Sequence, residues 1–90
     1  MRRLIWSAEA QANLVAVRDY VSEFSPLAAA RLAARLASVA DSLAEMPERG
    51  RPIAEGLREL TTVWPNLFRY RVTPELVEVV AIRHGARRPR

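Results

Sequence analysis

The chain has 90 residues, half of them hydrophobic, and a formal charge of +4, which bounds it to one domain with a single core and argues against disorder. It contains no cysteine, so disulfide scaffolds, thiolate metal sites and cysteine nucleophiles are excluded. No apolar run reaches bilayer-spanning length, and the start Met1-Arg2-Arg3-Leu4-Ile5-Trp6 lacks the apolar core of a signal peptide, so a soluble, cytoplasmic protein is expected.

Arg3 to Trp6 is a short apolar run before a helix start and reads as a first strand. Ser7 is a good N-cap, and Glu9 in the first turn suits the helix dipole. Leu14, Val17, Val21 and Phe24 then fall at helical spacing, which predicts a helix from about Ala8 to about Phe24. Ser25-Pro26 is a cap followed by proline at the first helical position and opens a second helix. Its stripe is Leu32, Leu36, Val39, Leu43 and Met46, set among alanines that favour helix and let another backbone approach closely. The tight link makes the two helices an antiparallel hairpin. The same four-three spacing also fits a coiled-coil dimer, but an intramolecular core is the commoner use of so short a stripe.

Pro47 ends the second helix, and Glu48-Arg49-Gly50-Arg51-Pro52 reads as a solvated connection, since the glycine-rich phosphate-binding motifs are absent. Gly56 to Val63 is a strand with β-branched residues near its end, and Trp64-Pro65 is a turn. Phe68, Tyr70 and Val72 alternate with Arg69 and Arg71, which puts apolar groups on one sheet face and arginines on the other. A turn at Pro74-Glu75 leads to a last strand, Leu76 to His84, whose valines make it an inner strand. A two-residue loop sets Val72 opposite Val77, Arg71 opposite Glu78, Tyr70 opposite Val79 and Arg69 opposite Val80. Ile82 and His84 then share the arginine face. The fold class is α+β, in the order β-α-α-β-β-β, with a helical hairpin packed on one face of a mainly antiparallel sheet.

The charge is unevenly placed. Residues 1 to 45 carry five arginines and five acids, and residues 46 to 90 carry nine arginines and five acids, so the whole excess lies in the second half. Arg69, Arg71, Arg83 and Arg87 are the set best suited to an anionic partner, either nucleic-acid phosphate or an acidic protein segment. A sheet face can also carry arginine only to resist aggregation. His84 is the only histidine, so no metal site and no cofactor are expected. The serines have capping or helix-surface roles, Glu59 is a possible acid or base, and Glu78 reads as the ion partner of Arg71.

Ile5-Trp6-Ser7 with Ala10, Pro26 with Ala28-Ala29, Leu43 followed by Pro47 and Gly50-Arg51-Pro52, Gly56 with Arg58-Glu59-Leu60, Tyr70-Arg71-Val72 and His84-Gly85-Ala86-Arg87 follow one another at spacings that cover almost the whole chain. In this order the chain resembles the toxins of the ParE/RelE superfamily of bacterial toxin-antitoxin modules. The resemblance implies a single toxin domain over residues 1 to 84 with a basic tail over 85 to 90. It also implies a cognate antitoxin that covers the helical hairpin and the basic sheet face. Arg69, Arg71, Arg83, Arg87, Leu14, Val21 and Leu36 are then the candidate partner-binding residues.

The superfamily divides by mechanism. The RelE-like branch cuts messenger RNA on the ribosome and uses basic residues in mid-sheet with a tyrosine or histidine near the C-terminus. Here Leu67 stands where that branch has an arginine and the tail has no tyrosine, leaving Arg83 and His84 as the alternative catalytic pair. The run Trp64 to Val72 is similar to the ParE-like branch, which binds and inhibits DNA gyrase. Growth arrest through gyrase is therefore the first expectation, a ribosome-dependent mRNA endoribonuclease the alternative, and a bare nucleic-acid-binding module a third possibility.

Overall fold

A computed structural model describes residues 2–84 of the chain. Arg87 and the tail expected over 85–90 lie outside the described residues. The elements are β1 (Arg3–Trp6), α1 (Ala8–Ser22), α2 (Pro26–Glu45), β2 (Arg51–Pro52), β3 (Leu57–Val63), β4 (Asn66–Val72) and β5 (Leu76–His84), with short 3-10 turns at Pro47–Arg49 and Ala54–Gly56. Both helices begin where their caps require. The Ser7 and Ser25 hydroxyls accept the amides of Ala10 and Ala28, and Pro26 occupies the first turn of α2. Helix α1 stops at Ser22, two residues before Phe24. Ser25 must be extended to cap α2 and to precede proline, so the Phe24 and Ser25 amides close on the Val21 carbonyl instead.

The five strands form one sheet in the order β1-β5-β4-β3-β2. Strand β1 runs parallel to β5 and every other pairing is antiparallel. This is the expected α+β arrangement, with β5 internal between β1 and β4. The two helices pack on each other, and α1 packs against β5. Leu36 and Ala40 of α2 and Ala10 of α1 meet Phe68, Val79, Ile82 and Val63 of the sheet, with Leu4, Trp6, Leu14 and Val17 at the margin. A smaller cluster joins Leu43, Tyr70 and Val77. Each fully buried side chain of this size contributes about 1.5–3 kcal/mol, so Phe68, Leu36, Leu43, Val77 and Val79 are the principal apolar ties between the layers. Phe24 and Met46, the end members of the two helical stripes, lie beyond this core and are exposed.

Two features depart from the sequence reading. The first is β2, which falls in what reads as a solvated connection. Gly50 is buried there, its N–H donates to the Tyr70 hydroxyl at 2.7 Å, and that hydroxyl donates to the Pro47 carbonyl at 2.7 Å. A Cβ on residue 50 would stand 2.6 Å from the Tyr70 oxygen and 2.8 Å from the Glu59 carbonyl oxygen. Glycine is required because the chain passes so close to the sheet. Tied down in this way, Arg51 and Pro52 pair with Glu59 and Arg58.

The second departure is in register. From the turn to Tyr70 the pairing with β5 is the expected one, but Arg69 then faces Ala81 rather than Val80. Val80 is an extra residue, a β-bulge, and beyond it every side chain of β5 changes face. Ile82 therefore enters the core opposite Phe68, and His84 stands opposite Asn66, so neither shares the arginine face. Arg83 takes the place opposite Leu67. Helix α1 secures the bulge: the Ser7 hydroxyl donates to the Val80 carbonyl at 2.7 Å, and the Ile82 N–H donates to the Asn13 side-chain oxygen at 2.9 Å. A second irregularity lies on the other side of β4, between Leu60 and Val63 of β3.

Candidate functional site

With both helices on one side, the opposite face of the sheet carries the residues that alternate with the core. Arg69 and Arg71 come from β4, Arg83 from β5 and Glu59 from β3, with Leu67 and Ala81 between the arginines. The bulge brings Arg83 to this face and removes His84 from it. Successive residues on a strand point to opposite sides. The two members of the alternative catalytic pair are thus not brought together on one surface.

The charges on this face are organised around Glu59. Its side chain is only 10% exposed, and its two oxygens are used separately. One accepts from Arg51 Nη2 at 3.0 Å and the other from Arg69 Nε at 3.2 Å. Both contacts follow from register, because Glu59 faces Arg51 of β2 on one side and Arg69 of β4 on the other. Arg71 and Glu78 are register partners as expected, yet among the described residues no ion pair joins them. Arg71 and Arg83 are both exposed, whereas Leu67 and Ala81 are buried between their neighbours.

The sequence does not announce Glu59 in this role. Counting outward from Trp64-Pro65 sets Glu59 opposite Tyr70, and only the irregularity in β3 moves it opposite Arg69. On the core side of the same strands, Arg58 Nη1 donates to the Gly50 carbonyl at 2.6 Å and so braces the segment that carries Arg51. Burial pushes the Tyr70 hydroxyl above its ordinary pKa of 10.0, against the opposing effects of the Gly50 N–H and the Arg58 and Arg49 charges.

The helical hairpin offers a second surface, although not the one expected. Leu36 is fully buried in the core and cannot meet a partner without unfolding, because it fills the space between α2 and the sheet. Leu14 packs at the core margin and Val21 is half-buried. The exposed apolar groups are instead Val15, Tyr20, Phe24 and Leu27, with the Tyr20 and Phe24 rings edge to face at 5.4 Å. Tyr20, Phe24 and Leu27 flank the turn from α1 to α2, and Val15 lies in the middle of α1. Among the described residues no His, Cys, Asp and Glu group is arranged to hold a metal, and no helix is long and apolar enough to cross a membrane.

Residues 4–89 match the family model described as ParE toxin of type II toxin-antitoxin system, parDE. The chain is 54% identical over 87 residues to toxin RelE2 of Caulobacter vibrioides, covering 97% of this chain and 99% of that protein. Toxin RelE1 of the same organism is 38% identical over 69 residues, covering 73% of this chain and 74% of that one. Among solved structures, a chain of a chromosomal ParDE toxin-antitoxin system from P. aeruginosa superimposes with a TM-score of 0.82 at 28% identity, over 93% of this chain and 96% of that one.

Proposed function

Because the chain belongs to the ParE toxin family of type II toxin-antitoxin systems, we propose that it arrests growth as a binding toxin that inhibits DNA gyrase and that a cognate antitoxin neutralises it. The observation that carries this reading is the separation of Arg83 from His84. The open face presents Arg71 and Arg83 around buried Leu67 and Ala81, with Arg69 already paired to Glu59. That mixture of apolar ground and fixed charge suits docking to a protein better than holding a scissile phosphate. His84, on the other side of the strand, has no place in such a surface.

The antitoxin has two surfaces to cover. Helices fit the exposed Tyr20, Phe24 and Leu27 at the tip of the hairpin, and an extended segment fits the open face with Arg69, Arg71 and Arg83. Arg87 adds charge to the same partner by its sequence position. The name of the 54% identical relative, toxin RelE2, is the ground for a second reading, ribosome-dependent cleavage of messenger RNA. Purified chain separates the two. The gyrase reading expects supercoiling to be blocked while message in a translating extract stays intact, and cleaved message with normal supercoiling would replace it with the second.

A further inference from the structure

The open face contains one residue whose role the docking reading does not explain. Glu59 is an acid almost buried in a basic surface, and a surface meant only to attract an anion would be better without it. Its geometry points to a different use. It holds Arg69 side-on, through Nε, at 3.2 Å. A guanidinium bound at Nε keeps both Nη groups for another acceptor, and among the described residues neither Nη of Arg69 has a hydrogen-bond partner. The other Glu59 oxygen holds Arg51, whose backbone is fixed by the pairing of β2 with β3 and by the buried Gly50 to Tyr70 hydrogen bond.

We propose that Glu59 is the positioning residue of this face. It presents the free Nη edge of Arg69 to a carboxylate of an extended, acidic partner segment laid along the sheet. The inference rests on the docking reading and adds the chemical class of the ligand. A carboxylate is favoured over a nucleic-acid backbone by the face itself. A peptide can set a single carboxylate at the Arg69 Nη edge and leave uncharged residues beside Glu59 and Glu78 and an apolar one over half-buried Val80, whereas a nucleic-acid backbone carries a phosphate at every residue. A side chain held in place before binding loses less entropy when its partner arrives.

The test turns on a sign. If Glu59 were only a negative charge near the site, replacing it would tighten the binding of an acidic peptide. If it positions Arg69, replacing it loosens binding. The probe is a fluorescent ten-residue peptide of alternating valine and glutamate, titrated by anisotropy at low salt onto the whole chain, with a ten-nucleotide oligothymidylate as the competing class. Arg69→Ala and Glu59→Ala are expected to weaken peptide binding about tenfold each. Glu59→Gln keeps an oxygen for Arg69 Nε and is expected to weaken it less. Thermal melts confirm that each variant is folded, and Glu59→Gln carries the test if Glu59→Ala is not. Unchanged or tighter binding by Glu59→Gln overturns the proposal, as does failure of the parent chain to bind the peptide or its preference for the oligonucleotide. Growth arrest and its relief by an antitoxin are scored separately, so the toxin reading stands or falls independently of this result.

Discussion

The two faces of the sheet are made by the same strands and obey different rules. On the covered face, Phe68, Val77 and Val79 are held by exclusion of water, and Leu36 and Leu43 of α2 fill the space above them. On the open face, Glu59 holds Arg51 and Arg69 by paired charge, Arg71 and Arg83 are exposed, and only Leu67 and Ala81 are buried. What separates the faces is alternation, and what decides membership at the far end is a single extra residue. Val80 moves Ile82 into the core and Arg83 out of it. A strand can therefore be read correctly as a strand and still have its functional side chains assigned to the wrong surface.

The contrast is sharpest in stability. Leu36→Ala empties a fully buried site and is expected to cost about 3 kcal/mol in urea unfolding. Arg69→Ala is expected to cost less than about 1 kcal/mol, because its ion pair is partly exposed. Equal losses for the two variants would break the division between a structural and a docking face.

Tyr70→Phe is the next largest effect. It leaves the buried Gly50 N–H and Pro47 carbonyl without their partner and is expected to cost about 2 kcal/mol. The pH dependence follows from the raised pKa of this hydroxyl. In the folded chain Tyr70 keeps its proton at pH values where the unfolded chain has released it, so its contribution is complete below about pH 10 and is lost as pH rises through the folded value. Stability of the parent chain should fall above about pH 10 more steeply than that of Tyr70→Phe, and parallel curves would contradict the assignment.

Asn13→Ala removes the acceptor of the Ile82 amide. An expected loss of about 1–2 kcal/mol should be accompanied by faster hydrogen exchange at Ile82. Unaltered exchange there would mean that the bulge holds itself and that α1 does not set the border between the faces.

Much of this was legible from residue pattern. Caps at Ser7 and Ser25, proline at 26, the stripe of α2 and the alternation of β4 each follow from local chemistry, and together they give the α+β arrangement. The register near Pro74-Glu75 is equally local. The bulge is not, because it depends on Ser7 and Asn13, about seventy positions away, supplying bonds to Val80 and Ile82. The irregularity in β3 hid Glu59, because it shifts the register away from the one counted from Trp64-Pro65. Leu36 enters as a partner residue only through the family resemblance, and its helical stripe marks an apolar face without saying what covers it. Phe24 shows the converse: it continues the stripe in sequence and lies in solvent because the helix ends first.

The most direct test of the account is gyrase supercoiling measured with purified parent chain, Arg83→Ala and His84→Ala. Their neighbouring positions on β5 place the two side chains on opposite faces. The account predicts that the parent chain blocks supercoiling, that Arg83→Ala needs about tenfold more protein to do so, and that His84→Ala matches the parent. Loss of inhibition with His84→Ala while Arg83→Ala remains fully active would contradict it.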